Sequence, residues 1–201
     1  MINFANLNDR CIYEVFMKRE YIQKLVLSAM LLALGMVLPF FVGQIKEIGD
    51  SLLPMHLPVM LCGLLCGWKY GLSVGGILPF LRSVSFGMPP LYPNAIWMAL
   101  ELATYGFVIG MLYCRRKSYS RAYLFFCLVC SMIAGRIVWG ISKAILLGVA
   151  GKPFGFAAFL TGAFLDAIPG IVLQFILIPL IAEIVIHKKA RATGSNAEIS
   201  K

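Results

Sequence analysis

Residues 80–101 read FLRSVSFGMPPLYPNAIWMALE. The stretch begins beside an arginine, Arg82, and closes on a glutamate, Glu101, with a glycine- and proline-rich loop, GMPPLYPN, between them. Apolar runs too oily for a soluble surface lie on both sides. Charge near a hydrocarbon core is expensive, so such residues turn toward a bundle interior or a water-filled cavity. The stretch therefore reads as a loop joining two membrane helices, with Arg82 and Glu101 lining a polar pocket near one membrane face.

The rest of the chain agrees. Of 201 residues, 60% are hydrophobic and 13% charged; a soluble domain carries about twice that charged share. The apolar residues gather into stretches long enough for a hydrocarbon core about 30 Å thick. The short alternating segments of a β-barrel are missing from the pattern. The fold class is all-α integral membrane, a compact bundle of six transmembrane helices with an outward-facing binding pocket.

The expected helices run over 22–42, 55–67, 70–87, 94–114, 121–148 and 157–187. Proline and glycine place the breaks, in residues 43–56, in GMPPLYPN and in GVAGKPFG. Residues 1–21 form a cytoplasmic or interfacial N-terminal segment, 22–187 the six-helix membrane domain, and 188–201 a disordered cytoplasmic tail. The N-terminal segment is mixed polar, and the first apolar run is long enough to span, so it does not read as a signal peptide. Cys62, Cys66, Cys127 and Cys130 fall inside apolar runs and read as small apolar side chains.

Basic residues set the orientation. With the N-terminus inside, the inner segments hold Arg10, Lys18, Arg19, Lys24, Lys69, Arg115, Arg116, Lys117, Arg121, Lys188, Lys189, Arg191 and Lys201, while the outer loops hold Lys46 and Lys152. This bias places both termini in the cytoplasm. It also accounts for the net charge of +9 without nucleic acid as a partner, because the charges sit at helix ends. Three glycine pairs at four-residue spacing, Gly63 and Gly67, Gly71 and Gly75, Gly106 and Gly110, predict close helix contacts.

Arg82, Glu101, Arg136, Lys143 and Asp166 lie deep in apolar segments or near their outer ends. Asn94, Trp97, Glu101 and Tyr105 share one helix face; Arg136, Trp139, Gly140 and Lys143 share another; Asp166, Gly170 and Gln174 share a third. With a rise of about 1.5 Å per residue, these groups collect in the outer half, above an inner half of Leu, Ile, Val and Phe. That describes a cup open to the outside, with Arg82, Asn94, Trp97, Glu101, Arg136, Trp139, Lys143 and Asp166 as substrate-binding candidates. A purely structural alternative pairs Arg82 with Glu101 and Lys143 with Asp166. His56, between Pro54 and Pro58, reads as an interfacial histidine, with contact to solute from a lid as the alternative. No nucleophile–base set, metal-ligand spacing or ATP-binding loop is evident, so an enzyme is not expected, and neither is a cofactor.

Four segments carry a family resemblance: LSAMLLALGMVLPF at 27–40, LPMHLPVMLCGLLCGWKYGLSVGG at 53–76, FGMPPL at 86–91 and ALELATYGFVIGMLY at 99–113. Across about residues 22–186 the chain resembles the substrate-binding S components of energy-coupling factor transporters. The resemblance implies high-affinity capture of a water-soluble micronutrient by a multi-pass protein of the bacterial cell membrane. Import is then driven by a transmembrane coupling subunit and two cytoplasmic ATP-binding subunits on separate chains. It puts Ala29 and Ala33 against the coupling subunit, makes the loop from Gly43 to Met55 a gate, and has the S component topple to deliver its cargo. The pocket's aromatics and charges suit a planar heterocycle with polar or carboxylate groups, such as a B-vitamin form or a queuosine-type deazapurine precursor, or a larger corrinoid. A stand-alone secondary transporter is the alternative; it predicts inverted repeats and polar groups at the midplane.

Overall fold

Glycine and proline mark the helix ends around α2 and α3. The computed structural model describes residues 4–42, 54–115, 120–149 and 167–199, together with 151, 155, 159, 161 and 162. The order is α1 (Phe4–Val42), α2 (His56–Cys66), α3 (Trp68–Phe86), a π turn (Leu91–Ala95) leading into α4 (Ile96–Cys114), α5 (Arg121–Val149) and α6 (Ile168–Ile199). No strand occurs among the described residues. Gly67 separates α2 from α3 at φ 100°, and Gly87 ends α3 in the left-handed region at φ 70°. A side chain at either position would be strained.

Three boundaries differ from expectation. α1 is continuous from Phe4, because neither glycine nor proline interrupts it before Gly35. α6 begins at Ile168 rather than 157: Pro169 suits a first helical turn, where its missing N–H costs nothing, and Ala167 sits in a turn accepting from the Ile171 N–H at 2.9 Å. At its other end α6 carries helical backbone on to Ile199, through the segment expected to be an unstructured tail.

Among the described residues, four segments are long and apolar enough to cross a membrane: Lys18–Phe41, Leu91–Cys114, Arg121–Val149 and Ile168–Val185. Lys69, Arg82 and three serines dilute α3, which is not among them. α2 has 11 residues, about 16 Å of helix, and is far too short to span alone. Its position explains how so short a helix is stable. α1, α3, α4 and α6 all pack against it, and it is buried along nearly its whole length. Backbone ends enclosed by protein never meet lipid, where they would go unsatisfied. Around it, Val59, Met60, Leu61 and Leu64 join Leu78, Leu102, Ile109, Leu128 and Ile178 in one core.

The glycine pairs perform the predicted packing except at Gly67, which makes the turn between α2 and α3 and has only Cys114 Sγ, 3.8 Å from where a Cβ would stand. A Cβ on Gly71 would lie 2.6 Å from the Gly106 carbonyl oxygen and 2.6 Å from Gly63 Cα; one on Gly110 would lie 2.6 Å from Trp68 Cα. The backbones of α2, α3 and α4 meet directly there, as small residues permit in lipid. Cys62, Cys66 and Cys127 are buried free thiols in the same apolar interior. On the outside, Tyr21, Val26, Met30, Phe41, Ile133, Ile141, Ile176 and Ile184 are exposed, a surface suited to lipid rather than water.

Candidate functional site

α4 and α5 run antiparallel, and their facing residues form a ladder. At the lowest rung Tyr105 lies against Gly135, where any Cβ would fall 2.6 Å from the tyrosine ring. The middle rung is an ion pair: Arg136 Nη1 stands 3.1 Å from Glu101 Oε1. At the top, the Lys143 ammonium sits 4.5 Å from the centre of the Trp139 ring and 5.6 Å from that of Trp97. Residues 97, 101 and 105 advance by one helical turn each, which is why their partners on α5 descend in step.

Glu101 is the centre of this arrangement. It is 2% exposed, and Arg136 only 5%. The Tyr105 hydroxyl donates to Glu101 Oε1 at 3.2 Å, and His56 Nε2 lies 3.4 Å from the same oxygen without hydrogen-bond alignment. The His56 and Tyr105 rings meet edge to face at 5.1 Å. Such burial of a charge is tolerable only with close partners, and here a guanidinium, a phenol and an imidazole converge on one carboxylate oxygen.

His56 is therefore not an interfacial residue. α2 is short and enclosed by its neighbours, so its first residue lies level with Glu101 and Tyr105, a turn or two along α4 from its N-terminal end. Nothing in the local sequence shows this, because depth follows from the length of α2 and from what surrounds it. Tyr105 was visible as the residue one turn beyond Glu101. Gln174 was visible on the inward stripe of α6; it is 2% exposed, on the stripe that continues into buried Ile178 and Ala182.

The other expected site residues divide. Trp97, Trp139 and Lys143 come together, with Phe159 6.2 Å from Trp139 and Gly162 close beneath the indole edge. Asn94 is half-buried in the π turn that opens α4. Arg82 does not pair with Glu101 as the structural alternative had it. It faces α1 and the loop instead, with Nε donating to the Met88 carbonyl at 3.1 Å and the guanidinium 5.6 Å from the Phe40 ring centre. Packing sets this: the α3–α4 register, fixed where Gly75 meets Leu102, brings Arg82 level with the start of α4 rather than with Glu101. Asp166 and residues 43–53, most of the loop expected to act as a gate, lie outside the described residues. Ala29 and Ala33 lie on the exposed face of α1, beside Val26, Met30 and Val37.

A buried ion pair under an aromatic and cationic tier, inside a bundle of long apolar helices with an apolar outer surface, belongs to a helical membrane protein rather than a soluble domain. Residues 23–182 match the family described as ECF transporter, substrate-specific component, and the chain belongs to that family. It is accordingly a membrane protein and the substrate-binding subunit of an ECF transporter, not an enzyme. Membership implies a small-molecule substrate and association with ECF transmembrane and ATPase components. No curated protein and no solved structure matches the chain.

Proposed function

We propose that this subunit captures a small water-soluble micronutrient, a B-vitamin-like compound or a queuosine-type deazapurine precursor, in a cup open to the outside of a bacterial cell membrane. In this reading the membrane domain is a six-helix bundle in which the short α2 is enclosed by its neighbours rather than spanning the lipid alone, and both termini are cytoplasmic. Import is powered by two ATPases through a coupling subunit. The observation that carries it is the α4–α5 ladder. A fully buried Glu101–Arg136 pair lies beneath Trp97, Trp139 and Lys143, in the half of the bundle nearest the sparsely charged loops. Arg82, Asn94 and Asp166 complete the proposed substrate-binding set.

Native mass spectrometry of the gently purified protein tests it. One small molecule retained per chain, lost on Glu101→Ala, is the expected result. A protein that retains nothing and binds no member of a vitamin panel would sink the reading. The docking assignment has its own test. Ala29→Trp on the exposed face of α1 should leave solute retention intact and block co-purification with the coupling subunit; unchanged assembly removes Ala29 and Ala33 from that interface.

A further inference from the structure

Three side chains converge on Glu101 Oε1, and one of them is idle. Arg136 Nη1 stands 3.1 Å away, and the Tyr105 hydroxyl donates at 3.2 Å. His56 Nε2 lies 3.4 Å from the same oxygen, yet neither ring nitrogen has a hydrogen-bond partner among the described residues. The ring is 2% exposed, and both nitrogens are shut off from bulk water. A buried polar group left unmade is costly, so it calls for an explanation. Charge supplies one. With Arg136 in place Glu101 is already balanced, and a proton on His56 would add an unneeded positive charge at the N-terminal turn of α2. With Arg136 withdrawn, a full negative charge would stand 3.4 Å from Nε2, and it outweighs the roughly half positive charge of the helix end. The other helices packed on α2 bring no rival. α1 carries no charged residue from Leu25 to its end, and α6 none before Glu183, which pairs with Arg121 at the start of α5. On α3, Lys69 adjoins the far end of α2, and Arg82 is engaged with Met88 and Phe40.

We infer that His56 and Glu101 form a proton-binding site, in which His56 takes up a proton and replaces Arg136 as the counter-charge of Glu101 whenever the guanidinium is drawn away. While the pair is closed, Arg136 neutralises Glu101 and His56 is a spare base. When Arg136 turns aside, one proton from solvent goes onto the imidazole, an N–H of the imidazolium faces Glu101 Oε1, and the buried charge again sums to zero. The proton returns to solvent when Arg136 comes back. Tyr105 keeps its place throughout, because its ring is held between the edge of His56 and Gly135. The main obstacle to opening a buried ion pair is the charge it strands. A second, proton-dependent cation at 3.4 Å removes that obstacle and makes the opening depend on proton uptake. The site rests on the geometry of Glu101, Arg136 and His56 and not on solute capture, so a protein that retains no small molecule leaves it standing.

The test removes the guanidinium by Arg136→Gln in the purified full chain in detergent. Melting temperature is followed from about pH 8 to about pH 6, against the parent protein and against Arg136→Gln combined with His56→Gln. The folded single variant should hold a proton that its unfolded chain gives up above about pH 6.5, so its stability should rise as pH falls. For a chain of this size one proton corresponds to a gain over the parent of up to about 3–5 °C per pH unit. The double variant should lose that gain. Histidine 15N resonances read the proton directly: the chain has two histidines, His56 and His187, and His187→Asn leaves one. An imidazolium signal should appear in Arg136→Gln at a pH where the parent shows a neutral ring. Should Arg136→Gln fail to fold, adding His56→Lys supplies a fixed cation and should restore a folded, monodisperse chain at about pH 8; no restoration overturns the inference. So does a single variant whose melting temperature follows the parent's with pH. A gain that survives His56→Gln overturns it as well, since Glu101 would then be taking the proton itself.

Discussion

The two halves of α4 are built by opposite means. In the orientation proposed above, its inner half carries Gly106 and Gly110, and at those two positions backbone rests on the backbone of α2 and α3. Its outer half carries Trp97, Glu101 and Tyr105, large or charged side chains that meet Lys143, Arg136 and Gly135 of α5. In lipid there is no hydrophobic force between helices, so close packing of small residues is an economical way to hold a bundle. The outer half forgoes that economy. A buried ion pair is weak evidence for stability, since apolar residues of equal volume do as well. The inner half is thus the part that holds the bundle, and the outer half is the part whose cost needs a function.

The largest effect should come from unbalancing the ion pair. Glu101→Ala leaves Arg136 buried without its counter-charge, a loss of about 3–5 kcal/mol. The double replacement Glu101→Leu with Arg136→Leu removes both charges and should recover most of that stability. Solute retention should stay lost in both. Denaturant titration in micelles, run alongside native mass spectrometry, reads the two properties separately. If the double variant were as unstable as the single one, the outer half would be structural after all and the contrast within α4 would collapse.

Next in size is the inner half. Gly106→Val forces a branched side chain against the Gly71 backbone, whose Cα would lie 2.8 Å from the new Cβ. Backbone cannot swing aside as a side chain can, so the expected loss is about 2–3 kcal/mol. The melting temperature should drop, whereas the affinity of protein that remains folded should change little. Full stability in this variant would mean that α3 and α4 are not pressed together as described.

This contrast also explains what could be read ahead of the coordinates. The glycine pairs were legible because a four-residue repeat is a local pattern, and one helix face suffices to recognise it. The faces of α4 and α5 were legible for the same reason, and they brought Glu101, Arg136, Trp97, Trp139 and Lys143 together. Partner choice was not. Arg82 and Glu101 share the stretch that decides the fold, yet the glycine contacts between α3 and α4 set a register that separates them. His56 was missed because its depth depends on α2 being 11 residues long and wrapped by four neighbours, a property of the assembly and not of the residues around it. The start of α6 was missed because apolarity continues upstream of Ile168, while Pro169 decides where the helix begins.

The smallest effect lies at the inner ends of α5 and α6, where Arg121 and Glu183 form an ion pair that ties the two helices. It invites comparison with the pair one bundle-length above it. The chemistry is the same, an arginine and a glutamate from different helices, but the Arg121 side chain is 71% exposed where that of Arg136 is 6%. An exposed pair gains little over its hydration and is screened by salt. Arg121→Ala should therefore shift stability by less than about 1 kcal/mol, and less again at high salt. Solute retention should be unchanged. A loss comparable to that of Glu101→Ala would show that α6, which packs only lightly on α5, depends on this contact for its place in the bundle. Burial would then not be what separates the two pairs, and the cost of the outer half of α4 could no longer be read as the mark of a binding site.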